Sequence, residues 1–193
     1  MKSFLLIGEH YITDFINTQF TPHGEIVENF ESFCDIKDWF LKVGLLDEKR
    51  LNNIKENELY FKELIDYRTL VRNSFKDYIK EQISLDKLIK TTNNILLKAK
   101  VHPQIINEND SFVLEYIPNA SKYNELLTKI AIELIKLLNS KEFKYLKKCD
   151  NHKCSLYFID TSRNHSRRWC SMEICGNRSK VSNFVKRKKD LIK

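Results

Sequence analysis

The sequence predicts a mainly α-helical protein with a minor β component. We expect a helical N-terminal domain with one small β-hairpin, then a small four-cysteine module that ends in a basic helix. The 193 residues include only 4 Gly and 3 Pro, as is typical of helix-rich folded proteins. Apolar residues recur at three- and four-residue intervals, and four of the 5 cysteines lie near the C-terminus. We place the domains at residues 1–142 and 143–193.

The first segment of the chain predicts short elements. Residues 10–18 indicate a short element that ends in polar caps, and residues 21–24 contain the Pro and Gly of a turn. Residues 35–44 carry apolar positions at helical spacing. We expect a short helix there, with Asp35 as its N-cap and Gly44 at its end.

The middle of the chain predicts longer helices. Residues 47–82 contain no Gly or Pro and have apolar residues at helical spacing, which predicts one long helix or two. Ser84 is predicted to cap a further helix that ends before Pro103. Ser121 is predicted to open a strongly apolar helix that continues through Leu138.

One β-hairpin is predicted between the last two helices. Residues 104–106 and 112–117 are rich in β-branched and aromatic side chains, and the polar residues 107–110 separate them. This pattern is typical of two strands joined by a turn. Residues 143–146 alternate apolar with basic side chains and mark the change to the C-terminal module.

The charge of the chain is unevenly distributed. Residues 141–193 hold 15 Lys and Arg against 5 Asp and Glu, a net charge of +10. The preceding 140 residues hold 18 Lys and Arg against 21 Asp and Glu, a net charge of −3. Such an asymmetry indicates a polyanionic partner for the basic end.

The apolar stretches of the sequence are short. None approaches the roughly 18 residues of a membrane span, and the apolar run after Met1 is shorter than a signal sequence requires. We therefore expect a cytoplasmic protein with no membrane partner. Cytosolic thiols stay reduced, so a close group of cysteines indicates a metal site before it indicates disulfides.

The cysteine spacing predicts one structural zinc ion. Four residues separate Cys149 from Cys154, fifteen follow, and four separate Cys170 from Cys175. Two short loops of this kind bring four thiolates around one ion, and we expect the longer segment to fold as a hairpin between the pairs. The alternatives are unbound reduced cysteines, two disulfides, or replacement of one thiolate by a nearby histidine. The histidines inside the module are His152 and His165.

The C-terminal sequence closely resembles the CGNR zinc finger. The resemblance rests on Cys149–Cys154, on Tyr157–Asn164, on Ser166–Met172 and on the tetrapeptide Cys175-Gly176-Asn177-Arg178. In that family the finger follows an N-terminal ABATE domain, and the proteins are described as stress-induced transcription regulators. Residues 14–18, Asp-Phe-Ile-Asn-Thr, resemble an early ABATE signature, although Thr13 stands where we expect leucine. Residues 38–41 fit the next helix of the family.

The resemblance and the charge together predict a zinc-dependent DNA-binding transcription regulator. An RNA-binding protein and a protein-interaction module with an acidic partner are the alternatives, and the basic run at the end would otherwise be a solvated tail. Trp169 is expected to cover the zinc site rather than stack on a base. Asn177 and Arg178 either contact a base or bond the backbone of the finger itself. The predicted nucleic-acid contacts are Arg163, Arg167, Arg168, Arg178, Lys180, Lys186, Arg187 and Lys189, the last five of them on or before a helix with an apolar stripe.

The N-terminal domain is a possible sensor or interaction domain. Arg68 and Arg72 fall on the apolar stripe of the long helix and need anionic partners, for which Asp14 is a candidate. They form either a pocket for an acidic ligand or an internal ion pair. The sequence contains no phosphate-binding loop and no clustered His and carboxylate motif, so we expect no enzyme. Homo-oligomers are compatible with the sequence.

Overall fold

The computed structural model describes residues 2–22, 24–108, 111–119 and 123–181. These residues form two compact units. The helical unit comprises residues 32–139, and the finger unit joins residues 2–31 to residues 140–181. The compact units therefore divide the chain differently from the predicted segments 1–142 and 143–193, because the first 31 residues fold with the cysteine module.

The described residues of the helical unit form five helices and one hairpin. The helices are α2 (Phe33–Lys42), α3 (Glu48–Asn53), α4 (Glu58–Glu81), α5 (Asp86–Lys98) and α6 (Glu125–Asn139). Strands β3 (His102–Glu108) and β4 (Ser111–Ile117) pair in antiparallel fashion. The hairpin is longer than the sequence indicated, and residues 47–82 form two helices, one of the two predicted outcomes.

The finger unit is built from short elements. Helix α1 (Tyr11–Ile16) precedes the antiparallel strands β1 (Gln19–Phe20) and β2 (Val27–Glu28). A 3-10 turn (Phe143–Tyr145) leads into β5 (Leu146–Lys148), which pairs with β6 (Tyr157–Ile159). A π-helical turn (Met172–Gly176) follows, and residues 177–181 are helical.

The core of the helical unit explains its stability. The side chains of Trp39, Phe40, Val71 and Phe75 are completely buried, and burial of such side chains is the main favourable contribution to folding. A buried hydrogen bond of 2.7 Å joins the Tyr67 hydroxyl on α4 to Thr92 on α5. The predicted mainly helical class with a minor β component is confirmed.

Three helices begin at residues other than those predicted. Ser32, not Asp35, caps α2, because Ser32 and Asp35 satisfy each other's backbone N–H groups in a capping box. Ser84 accepts a hydrogen bond from the Asp86 N–H but lies before Leu85, the residue at the N-cap of α5. In α6 the Asn124 side chain accepts from the Leu127 N–H. Ser121, the predicted cap, lies outside the described residues.

Within the described ranges, no helix combines the length and the apolar character that a membrane span needs.

Candidate metal centre and nucleic-acid interface

The four predicted cysteines converge in the finger unit. Cys149, Cys154, Cys170 and Cys175 are all buried and are free of disulfides. Their sulfur atoms lie within 4.8 Å of one another, and the Cys154 and Cys170 sulfurs are 3.8 Å apart. These positions fit zinc, since a tetrahedron with Zn–S bonds of about 2.3 Å has edges of about 3.8 Å.

Deprotonation of the four thiols is linked to the binding of a cation. Hydrogen bonds with the neighbouring sulfurs, and then burial, raise the pKa of the Cys170 thiol. Burial raises the pKa of Cys175 as well. Four thiolates this close together are stable only beside a divalent ion, which also provides the free energy that orders a small metal-bound module.

The first cysteine pair lies in the loop between β5 and β6. The Cys149 N–H donates to the Leu156 carbonyl at 2.9 Å, and the Cys154 N–H donates to the Asn151 carbonyl at 2.8 Å. The hairpin therefore flanks the first pair, whereas we expected it between the pairs. The reason is that the strand after Cys154 pairs back onto the strand before Cys149.

The second pair is held by turns. The Cys170 N–H donates to the Cys149 sulfur at 3.4 Å, which joins the two pairs directly. The Cys175 N–H donates to the Ser171 carbonyl at 3.0 Å within the π-helical turn. The next residue is Gly176, where a Cβ atom would lie 2.7 Å from the Met172 sulfur, so glycine allows this close approach.

Two family matches cover the chain. Residues 145–188 match the CGNR zinc finger, and residues 9–141 match the ABATE family, described as "Putative stress-induced transcription regulator". The protein belongs to the ABATE family. Its four cysteines are the structural zinc site of a CGNR finger, as predicted. No curated protein matches the chain.

The ABATE signature docks the N-terminal segment, residues 2–31, onto the CGNR finger. The Asn17 side-chain amide donates to the Tyr157 carbonyl at 2.8 Å, and its Oδ1 accepts from the Tyr157 N–H at 2.9 Å. Asn17 therefore pairs with β6 as another strand would, 140 residues away in sequence. Next to it, the Ile159 N–H donates to the Gly8 carbonyl at 2.9 Å.

Thr13 is held by local hydrogen bonds. Its side chain is completely buried, and its hydroxyl lies 2.8 Å from the carbonyl oxygens of both Gly8 and His10. A buried hydroxyl needs such a partner. Asp14 completes the turn, because its Oδ1 accepts from the Gly8 N–H at 2.7 Å, while burial raises the pKa of its carboxyl to about 6.

Replacement of Asn17 by alanine is expected to destabilise the finger unit by about 2–3 kcal/mol, since an unsatisfied buried polar group costs about 1–3 kcal/mol. The Tyr157 N–H and carbonyl would both lose their partner. Urea unfolding monitored by amide exchange at Tyr157 measures the effect. The matched control is Gln19→Ala, which removes a half-buried amide bonded to the Glu28 carboxylate. Equal losses in both variants would contradict the docking role of Asn17.

Asp160 organises the loop between β6 and Cys170. Its buried carboxylate accepts from the Lys147 ammonium at 2.7 Å and from the Arg167 N–H at 2.8 Å. It also accepts from the N–H and the hydroxyl of Ser162. Burial alone would raise its pKa, but these donors hold the pKa of Asp160 at about 2. No pattern in the sequence singled out Asp160 or Lys147.

Arg167 has internal partners. Its guanidinium lies 4.4 Å from the Phe158 ring centroid and donates to the Trp169 carbonyl at 3.0 Å. It also donates to the Cys170 carbonyl and contacts the Glu9 carboxylate at 3.1 Å. These contacts give Arg167 a structural role, and its predicted nucleic-acid contact stays a prediction.

Two of the other predicted contacts, Arg168 and Arg178, line a cleft beside the first cysteine loop. Arg163 and Lys180 are exposed. Arg168 is largely exposed, pairs with Asp150 at 2.8 Å and lies over the Trp169 ring. Arg178 donates to the Pro22 carbonyl at 2.6 Å. Lys186, Arg187 and Lys189 lie outside the described residues.

We call this cleft the basic cleft. It has a volume of about 420 Å³. Its lining comprises Asp150, Asn151, His152, Lys153, Arg168, Trp169, Arg178 and Ser179. Lys153 was not among the predicted contacts. Its position in the sequence between two ligand cysteines was the feature that could have predicted its place in the cleft.

The aromatic residues of the finger have structural roles. Trp169 packs against the buried cluster that contains the four cysteines, as expected. His165 stacks on Tyr145 with ring centroids 3.4 Å apart, and its Nδ1 lies 2.7 Å from the Asp160 carbonyl. His152 and Asn177 are exposed. The sulfurs of four cysteines complete the metal site without a histidine.

The predicted partnership of Asp14 with Arg68 and Arg72 stays a prediction. Arg68 is buried and Arg72 is half-buried on α4, as their positions on the apolar stripe indicated. Asp14 belongs to the finger unit, and the two arginines belong to the helical unit.

Proposed function

We propose that the protein is a zinc-dependent transcription regulator that binds DNA through the basic cleft of its finger. The observation that carries the proposal is the convergence of Lys153, Arg168 and Arg178 on one cleft beside the metal site. The family description supports the regulatory role.

The chemistry of the cleft suits a phosphodiester backbone. Lys153 and Arg168 are exposed cations that can contact phosphate oxygens. Asp150 already engages Arg168, and exchange of this exposed ion pair for a phosphate costs little because surface pairs contribute about 0–1 kcal/mol. Ser179 supplies a hydroxyl of the kind that often contacts phosphates.

The charge of the wider surface favours the same partner. Segment 141–193 carries a formal +10, and the zinc and its four thiolates together contribute about −2, so the segment stays strongly positive. We propose a binding protein rather than an enzyme, because four thiolates fill the zinc coordination sphere and leave no position for water or substrate. The helical unit would serve as the sensor or interaction domain.

Titration of a DNA duplex at increasing salt tests the proposal. We expect affinity to fall steeply with salt, because cations on the protein displace counterions from phosphates. The double variant Lys153→Ala/Arg168→Ala should bind about tenfold more weakly, with a salt slope smaller by about 2. The control variant Lys87→Ala/Lys90→Ala removes the same charge from exposed positions of α5 and should bind like the wild type.

The competing partners give distinct results in the same assay. Preference for single-stranded RNA over the duplex would identify an RNA-binding protein. Absence of nucleic-acid binding at low salt, together with capture of an acidic protein, would identify an interaction module. Equal weakening by both double variants would show that only net charge matters and would overturn the role of the basic cleft. Zinc content is measured for every variant.

A further inference from the structure

Within the described part of the chain, no protein layer buries the hairpin of β3 and β4. None of the described side chains in either strand is buried. Each strand has seven residues, and within the described residues they pair only with each other. A two-stranded hairpin without packing on a further layer is only marginally stable in water. A hairpin of this length therefore indicates a missing partner.

The two faces of this hairpin differ in character. Register places Ile105 opposite Leu114 and Asn107 opposite Phe112, so these side chains share one face, which we call the outer face. Phe112 is 82% exposed, Ile105 is 70% exposed and Leu114 is 52% exposed. The opposite face, with Ile106 and the other alternate residues, is the less exposed of the two.

Pro103 and Tyr116 complete the outer face, because they also lie opposite each other. All six of its residues are uncharged. Large apolar side chains are normally buried in a monomer, and a contiguous exposed patch marks an interaction site. On the outer face of this hairpin, large apolar residues are exposed, as they are where a second layer is to be added.

We propose that the outer face is a homodimer interface, on which the hairpin of a second copy packs. A two-fold axis brings the same patch together from both copies. An uncharged patch makes this possible without like-charge repulsion, whereas a strongly charged partner would find no complementary charge on it. Packing of the two hairpins produces a two-layer β structure in which the outer faces form a shared core.

The size of the patch sets the strength of the dimer. Aromatic side chains bury about 150–250 Å² each, and together with the aliphatic residues the outer face supplies about 400 Å² per copy. A standard interface buries about 800 Å² per partner. The dimer is therefore a weak one, and we expect it to form between about 1 and 200 μM.

Sedimentation of the zinc-loaded full chain between about 1 and 200 μM tests this proposal without DNA, and so separately from the proposed function. The wild type should change from monomer to dimer across this range. Phe112→Asp should stay monomeric throughout, a loss of at least about 100-fold in association, because an unpaired carboxylate would be buried. The control Leu59→Asp alters another exposed apolar residue, 61% exposed on α4, and should dimerise normally.

Amide exchange of the wild type provides a second measurement that needs no variant. Protection of the backbone amides of β3 and β4 should increase as the concentration rises from 2 to 200 μM, since the hairpin is stabilised by dimer formation. A protein that stays monomeric at 200 μM, a dimer that persists in Phe112→Asp, or hairpin protection independent of concentration would each overturn the proposal.

Discussion

Removal of zinc is expected to unfold the finger unit while the helical unit stays folded. The buried cluster around the metal site consists of the four cysteines with Leu156 and Phe158, and Leu5 and Ile7 pack against it. Without the metal this small cluster cannot offset the entropy of ordering the segment. Structural zinc supplies about 10–16 kcal/mol in comparable modules, a contribution as large as the whole stability of a typical domain, about 5–15 kcal/mol.

The substitution Cys170→Ser produces the same loss without a chelator. The Cys170 sulfur lies 3.8 Å from that of Cys154, and the Cys170 N–H donates to the sulfur of Cys149. Removal of the Cys170 sulfur therefore opens the metal site where the two cysteine pairs meet. The control is Cys34→Ser, because Cys34 is an exposed free thiol outside the metal site.

Metal analysis, circular dichroism and amide exchange measure the outcome. The wild type and Cys34→Ser should hold one zinc ion per chain. Cys170→Ser should lose protection in β5 and β6 and also in residues 2–31, because the N-terminal segment is part of the same unit. The amides of α4 and α6 should stay protected. Persistent protection of β6 in the metal-free protein would show that zinc is dispensable for the fold.

The metal site was predictable because its determinants are local. Cys149 and Cys154 are five positions apart, and short loops of this length place two sulfurs on one ion whatever the rest of the chain does. The helices were predictable for a similar reason, since apolar periodicity reports the buried stripe of α4 and α6. Their first residues were less predictable, because Ser32 and Asp35 are both good caps and the capping box uses both.

The docking of the N-terminal segment was not predictable in this way. Asn17 is a small polar residue at the end of a short helix, and sequence alone favours a local cap. Its partner is the backbone of Tyr157, whose position depends on the register of β5 and β6. Arg167 shows the same limit: its positive charge indicated a phosphate contact, whereas its guanidinium contacts the Phe158 ring and the Trp169 carbonyl.

The substitution Asp160→Ala is expected to destabilise the finger unit by about 4 kcal/mol, because loss of one partner of a buried ion pair costs about 3–5 kcal/mol. The Asp160 carboxylate is completely buried, and the Lys147 ammonium that it accepts from is only partly exposed. Its other oxygen accepts from Ser162. The loop between β6 and Cys170 would lose the carboxylate that accepts hydrogen bonds from both Ser162 and the Arg167 N–H.

The control Asp150→Ala removes the same charge from an exposed ion pair with Arg168, which contributes less than about 1 kcal/mol. Both variants should keep the four cysteines and bind zinc, so that urea unfolding of the zinc-loaded proteins compares them directly. Equal stability of the two variants would contradict the central position of Asp160.

The pH dependence of the stability lost in Asp160→Ala shows whether the Asp160 carboxyl is ionised or protonated in the folded protein. The hydrogen bonds lower the pKa of Asp160 from its ordinary value of 3.8 to about 2. Because the folded-state pKa lies below the unfolded value, the stabilisation is complete above about pH 4 and is lost only as the pH falls toward 2. The difference between wild type and variant should therefore be constant from about pH 6 to 8, where the zinc thiolates are intact. A deficit that changes within this range would indicate a carboxyl with a raised pKa and would contradict its pairing with Lys147.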